Sequence, residues 1–442
     1  MPLSRPTPDE QAACLEMSEW ATATPETHPV LKGLFIDASA DRSRMAKALT
    51  THDRLEIFDS RAGARIRTSS WIGRVDLAGL RLEIQPKLGR AHLVRLLRYA
   101  YGLGELEIFS PTRTPVDELG FHDLIAAQLL AEVEALTRRG LAAHYVRREE
   151  TLDNPKGQID LTEVAKRGGI REARLPCLFY PRRSDWQLNR VALSGLRLAA
   201  LLSRDRELVL GLHRLASRLT EHVSPVRLNA ATLTRANRSV TRLTWHYRPA
   251  LELIRLLYEI SGASDASPGV SAPGYLFDMN VFWQAVLSRF FHDYLPPAIG
   301  HVADERRLVD LMRYAPDANP RRRRAPEPRP DFALICNGRS QIFLDAKYRD
   351  VWTQGHPADW IYQLGIYAMA APSRVAIMLY PTEDRAARTE KIEIIDPLRR
   401  NHVAAVILRP VIVSQLAQYI SAARKAHAQT AAVKFVVDLV TA

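Results

Sequence analysis

Cysteine is scarce in this chain: Cys14, Cys177 and Cys336 are its only three in 442 residues. They lie too far apart in sequence to suggest a thiolate metal cluster, and three isolated thiols do not make a disulfide framework, so a reducing setting is expected. The histidines, among them His52, His122, His144, His213, His301 and His356, show no metal-ligand spacing either. No GxxxxGK[ST] loop occurs, so the chain alone is not expected to bind or hydrolyse a nucleotide. No basic start followed by an apolar run marks a secretory leader, and the longest apolar runs, such as 403–408, are far short of a membrane span. The expectation is a soluble, cytoplasmic protein without membrane contact.

What the chain has in excess is positive charge. Lys and Arg number 61 against 49 Asp and Glu, a net charge of +12, with an isoelectric point near 9.7. Most of the excess is arginine, whose planar fork suits phosphate. That favours a polyanionic partner, although net charge speaks to nonspecific attraction and not to chemistry. The chain is otherwise of ordinary globular composition, 47% hydrophobic and 25% charged, and is long enough for two or three domains.

Period-two alternation predicts strands at 64–68, 71–76 and 81–85, followed by a helix at 91–101. Pro111 and Pro115 mark a linker, and Asp117 is placed to cap a helix over 118–139 that Gly140 closes. Residues 141–149 read as extended. Further helices are expected at 187–203, 206–219 and 249–260. The Ser-, Gly- and Pro-rich stretch 263–273 is the clearest boundary. Beyond it the order reads helix (275–294), strand (305–313), hairpin, helix (359–371), strand (374–380), strand (391–395) and helix (411–426). The division is a β-rich segment over 1–115, a mainly helical region over 116–262, a linker, and an α/β domain over 274–442. The fold class is α/β, with an α+β N-terminal part.

The hairpin carries the chemistry. Pro330-Asp331 opens one strand, Asn337-Gly338 is a turn signal, and Asp345-Ala346-Lys347 closes the second strand. Ile342-Phe343-Leu344 runs straight into Asp345, so an acid interrupts what reads as a buried strand. A two-residue turn pairing Cys336 with Arg339 would set Asp331 opposite Leu344 and send Asp345 to the other face. A three-residue turn or one bulge shifts the register by one, sets Asp331 opposite Asp345, and leaves Lys347 on the same face. In that register the two carboxylates and the Ala346 carbonyl form an oxygen site suited to Mg²⁺, with Lys347 beside it. Arg321, Arg322, Arg323 and Arg324 form a basic run just upstream, able to grip phosphates.

On these residues the domain from about 274 resembles the PD-(D/E)xK nuclease superfamily, with a restriction-endonuclease-like core. Gln363 and Tyr367, one helical turn apart after the hairpin, resemble the QxxxY motif of its RecB-like branch, where they would steady the metal site or touch the DNA backbone. The stretches 82–89 and 93–97, Lys156-Gly157-Gln158-Ile159, Asp185 with Asn189, and Met279-Asn280 through Gln284 resemble successive elements of the McrC family. That family supplies the nuclease subunit of McrBC-type modification-dependent restriction systems. The chain departs from the family's helix motif in having Gln284 where Glu is usual, and Trp283 where Phe is usual. The resemblance implies an Mg²⁺-dependent endodeoxyribonuclease subunit that acts on double-stranded, methylated DNA. Its partner would be a McrB-like hexameric AAA+ GTPase, whose GTP hydrolysis it stimulates. Pro86 and Lys87, at an end of the expected β-hairpin, are the candidate docking residues for that motor. Two other readings fit the same residues: an autonomous RecB-like repair nuclease, and a non-catalytic activator of a AAA+ motor.

Overall fold

A computed structural model of the chain describes residues 13–38, 40–51, 54–77, 79–101, 121–169, 173–261, 274–315, 317–421 and 426–441. The chain divides into two compact units, one made of residues 1–103 and 271–442 and the other of 104–270. The first hundred residues thus share a unit with the last 172, whereas the sequence division separated them at 263–273, a stretch that lies outside the described residues, as does Asp117.

In the first unit, β1 (Ala13–Ser18), β2 (Thr22–Ala23), α1 (Ala40–Thr51), β3 (Leu55–Ser60), β4 (Gly63–Thr68), β5 (Trp71–Leu77), β6 (Leu80–Gln85) and α2 (Arg90–Tyr101) follow in order. β4, β5, β6 and α2 fall where the alternation and the helical periodicity placed them. β1, which the sequence did not reveal, pairs in parallel with β6. β2, β3 and β4 form a separate small antiparallel sheet. Leu15, Met17, Ile57, Ile66, Val75, Leu82 and Ile84 share one buried cluster with α1 residues Met45, Ala46 and Leu49.

The second unit holds α3 (Phe121–Arg139), β7 (His144–Tyr145), β8 (Arg148–Leu152), β9 (Gln158–Ile159), α4 (Leu161–Lys166), β10 (Leu175–Phe179), β11 (Arg182–Arg183), α5 (Gln187–Leu202), α6 (Arg206–Thr220), α7 (Ala230–Arg238) and α8 (Arg248–Ile260). Here Asp185 and Asn189 are structural. Asp185 makes a two-pronged ion pair with Arg190 at 2.7 and 2.8 Å and accepts from Ser224. Buried Asn189 donates to the carbonyls of Ala142 and Ser184 and accepts from the Tyr247 hydroxyl at 2.6 Å.

The chain then returns to the first unit as β12 (Gly274–Asp278), α9 (Met279–Tyr294), β13 (His301–Asp304), β14 (Phe332–Cys336), β15 (Arg339–Ala346), α10 (Val351–Gln354), α11 (Ala358–Ala370), β16 (Val375–Thr382), β17 (Glu390–Ile395), β18 (His402–Ile412), α12 (Val413–Ser421) and α13 (Ala426–Val440). A six-stranded sheet runs β13-β14-β15-β16-β18-β17. β15, β16 and β18 are parallel, and the other pairs are antiparallel. The molecule is therefore an α/β protein with a mixed sheet. α9 buries Met279, Phe282, Trp283, Val286, Leu287, Phe290 and Phe291 at helical spacing. α11 covers Phe343, Ala376, Met378, Val406 and Leu408 on the sheet face it shares with them. No helix among the described residues is long and apolar enough to cross a membrane.

Three expectations for this region are corrected, and one strand is added. Residues 274–278 are not helical: they pair as β12 with β5, and the Asp278 carboxylate caps α9 by accepting from Asn280 N–H. The strand expected at 305–313 lies earlier, at His301–Asp304. Glu305, at φ +49°, turns the chain out of the sheet and gives its N–H to the Asp331 carbonyl. The apolar run 403–408 belongs to β18, which pairs with β16 on one edge and β17 on the other, and its residues 404–408 are buried. The helix expected at 411–426 begins only at Val413, because Val411 and Ile412 still pair with β16.

Candidate active site

The hairpin supplies the register its chemistry requires, by one of the two routes open to it. The turn is the two-residue kind: Cys336 pairs with Arg339, and Asn337 and Gly338 have φ of +51° and +74°. Only a residue tolerant of the left-handed region sits comfortably there, and Asn-Gly is the favoured pair. The shift comes farther along. Leu334 pairs with Ile342 while Ile335 pairs with Ser340, so Gln341 is an inserted, bulged residue. The requirement placed on 337–339 is therefore met at 341 instead. The Gln341 carbonyl accepts from Ser373 N–H and from its hydroxyl at 2.6 Å.

Beyond the bulge, Phe332 pairs with Leu344, and the next step sets Asp331 across from Asp345. Asp331 Oδ2 accepts the Ala346 N–H at 2.7 Å. In an extended residue the N–H and C=O point to the same edge, so the Ala346 carbonyl faces the Asp331 side as well. Asp345 is 1% exposed. Its Oδ2 lies 2.7 Å from Lys347 Nζ. Among the described residues that oxygen has no partner besides this ion pair. Below the pair, Phe332 packs edge-on against Phe291 of α9 at 5.2 Å, and Phe343 packs against Tyr367 of α11 at 6.4 Å.

Burial sets the electrostatics. It raises the Asp331 carboxyl to about 7, helped by the neighbouring Asp345 and opposed by the Ala346 N–H and Lys347. Burial raises Asp345 too, against the pull of Lys347. Two buried carboxylates side by side resist ionising together unless a cation joins them. With the Ala346 carbonyl they form an all-oxygen donor set, which fits a hard divalent ion. Among the described residues no cluster of three or more His, Cys, Asp or Glu side chains is placed to hold a metal, so waters and substrate oxygens would supply the remaining ligands.

The raised carboxyls have a consequence for stability. The folded state holds these protons more tightly than the unfolded chain does. The stabilisation is complete below the ordinary carboxylate range and is lost as pH rises through about 7. In a chelator, the melting temperature should therefore fall between roughly pH 4 and 7, and Asp345→Asn should flatten that slope. Mg²⁺ should raise the melting temperature more at the upper end of the window. An equal Mg²⁺ effect at both ends, measured by differential scanning fluorimetry, would count against a shared carboxylate site.

Gln363 and Tyr367 do meet: Gln363 Nε2 donates to the Tyr367 hydroxyl at 2.9 Å. Tyr367 is buried, and burial and the Asp345 charge push its hydroxyl up to about 12. Arg321, Arg322, Arg323 and Arg324 are exposed, in a turn where Asn319 and Arg323 exchange hydrogen bonds. Gln284 is half-buried on α9. Pro86 and Lys87 lie at the open end of the β5–β6 hairpin, where the chain enters α2, and not at its turn; the Lys87 N–H is tied to Glu19 Oε1 at 2.5 Å.

Several residues that surround Lys347 carried no role in the sequence reading. Asn280 donates to Ser70 Oγ and accepts from Tyr348 N–H. Trp20 and Glu19 both reach Tyr348. The ring of Trp360 lies 5.5 Å from Lys347 Nζ. The only sequence signal was the Met279-Asn280 pair, which is silent about its partners.

The comparisons with known proteins agree with this architecture. The family model for McrBC 5-methylcytosine restriction system components matches residues 66–381. Among solved structures, a chain of the refined half-complex from the tetradecameric assembly of Thermococcus gammatolerans McrB AAA+ hexamers with bound McrC is similar in fold. Its TM-score is 0.60 at 15% identity, covering 97% of this chain and 100% of that one. A chain of the Thermococcus gammatolerans McrBC complex aligns at a TM-score of 0.45 and 15% identity, over 63% of this chain and 86% of that one. The search of curated proteins found no match.

Proposed function

Since this chain belongs to the family of McrBC 5-methylcytosine restriction system components, we propose that it is the DNA-cutting subunit of such a system. The reading rests on one observation: Asp331, Asp345 and Lys347 converge at one strand end, with Asp331 on the Ala346 N–H at 2.7 Å and Lys347 on Asp345 at 2.7 Å. Asp331, Asp345 and the Ala346 carbonyl would hold Mg²⁺, which supplies Lewis acidity toward the phosphoryl group and acidifies a water. Lys347 orients that water and offsets negative charge developing on the phosphate. Gln363 and Tyr367 steady the α11 face of the site. The exposed arginines at 321–324 bind backbone phosphates and add to the salt dependence of binding.

The partner in this reading is a hexameric AAA+ GTPase like the McrB bound in the Thermococcus assembly. Its GTP hydrolysis is stimulated by this chain, and it recognises the methylated duplex. Residues 1–115, with Pro86 and Lys87, are the docking segment. The test is cleavage of methylated duplex DNA by the purified chain, with and without the partner, GTP and Mg²⁺. Cutting that requires all three, and that Asp345→Asn removes while GTPase stimulation persists, is the expected result. Strong cutting by the chain alone would make it an autonomous nuclease. GTPase stimulation without any cutting would make it an activator only.

A further inference from the structure

The catalytic assignment makes Lys347 the group whose position matters most, and the structure shows what fixes it. Lys347 leaves β15 with its N–H on the Leu379 carbonyl at 3.0 Å. The next residue, Tyr348, is held through its N–H, its carbonyl and its hydroxyl. Its N–H donates to Asn280 Oδ1 at 3.1 Å, its carbonyl accepts from Trp20 Nε1 at 3.0 Å, and its hydroxyl donates to Glu19 Oε1 at 3.0 Å. Two of these three contacts come from the residues just after β1, more than three hundred positions earlier in the chain.

Trp20 also packs against the ring that faces the lysine side chain. Its ring meets Trp360 edge-on at 6.3 Å and 80°, and Trp360 presents its face to Lys347 Nζ at 5.5 Å. A single indole thus supports the lysine twice, through the carbonyl that follows it and through the ring behind its ammonium. Trp20 is itself held firmly. Its backbone has φ of +57°, a region that disfavours bulky side chains, and its N–H is tied to the Ser69 carbonyl. The Arg349 guanidinium lies 5.2 Å over its ring.

We infer that Trp20 is a positioning residue for Lys347, so that phosphodiester cleavage depends on a side chain carried by the N-terminal segment. This rests on the proposed cleavage function and adds to it a residue that touches neither metal nor substrate. It also fits the first hundred residues sharing a compact unit with the site, since without them Tyr348 loses its contacts to Trp20 and Glu19.

The test is single-turnover cleavage of methylated duplex DNA by the full chain with its partner, GTP and Mg²⁺. Trp20→Phe keeps an aromatic ring and removes the indole N–H. The expected loss is roughly 10–100-fold in rate, the range seen when an outer contact that orients an active-site group is removed. DNA affinity and the Mg²⁺-induced rise in melting temperature should not change, a combination that general loosening of the fold does not produce. Trp360→Leu, on a half-buried helix position, should show the same split and decides the matter if Trp20→Phe does not fold. Wild-type rates in the folded variants, or a rate loss accompanied by loss of the Mg²⁺ effect, overturn the assignment. An inactive wild type is a different result: it refutes the cleavage reading itself.

Discussion

Lys347→Ala should slow DNA cleavage by roughly 10²–10³-fold, the loss seen when a preorganised donor facing developing charge is removed. Stimulation of the partner's GTPase should be unaffected. The two outcomes separate because the ammonium serves one place only: it sits 2.7 Å from Asp345 Oδ2 and 5.5 Å from the Trp360 ring, with its side chain 19% exposed. The substitution removes the cation and leaves Asp345 buried without its ion-pair partner. Because that carboxyl already resists ionising, it would hold its proton still more tightly and bind Mg²⁺ less readily. Lys347→Arg should restore little, since a planar fork does not reproduce a compact ammonium. Cleavage and GTP hydrolysis measured on the same preparation check this. Undiminished cutting by Lys347→Ala would remove the lysine from the chemistry.

The second large effect is on folding. Trp283→Ala should cost about 3–5 kcal/mol of stability, as for other large aromatics removed from a core. Trp283 is fully buried on α9, and its Nε1 donates to the Leu379 carbonyl at 3.2 Å. That carbonyl also accepts the Lys347 N–H, so the indole and the end of β15 share one acceptor. Trp283→Phe should lose only about 1 kcal/mol, the worth of one neutral hydrogen bond, because Lys347 keeps Leu379 O satisfied. Denaturant titration of both variants tests the ordering. Equal losses would mean that the hydrogen bond, and not the filled volume, is what the position provides. Trp283, where Phe is usual in the family the chain resembles, makes a hydrogen bond that Phe cannot make.

Much of the site was legible because its signals are local. Asn337-Gly338 announces a tight turn, an acid at the end of Ile342-Phe343-Leu344 announces a buried carboxylate, and Gln363 and Tyr367 are one helical turn apart. The register was legible only as a condition. A bulge at Gln341 has no residue signature, and the carbonyl it turns outward is taken by Ser373, thirty-two residues away. Strand β18 was missed because a continuous apolar run reads equally as a buried helix or a strand. The contacts on both its edges decide the matter.

The sequence by itself determined that two carboxylates and a lysine lie at the end of a hairpin and could meet if its register shifted by one, that the chain is α/β, and that it resembles a modification-dependent restriction nuclease. Those features depend on residue type, spacing and the order of motifs along the chain. Tertiary structure alone decided that β12 joins β5, that the first hundred residues share a unit with the six-stranded sheet, and that Trp20 and Glu19 anchor the residue after Lys347. The β12–β5 contact joins positions about two hundred residues apart, and the Trp20 and Glu19 contacts span more than three hundred. Their partners are chosen by which surfaces bury together, and no local pattern records that choice.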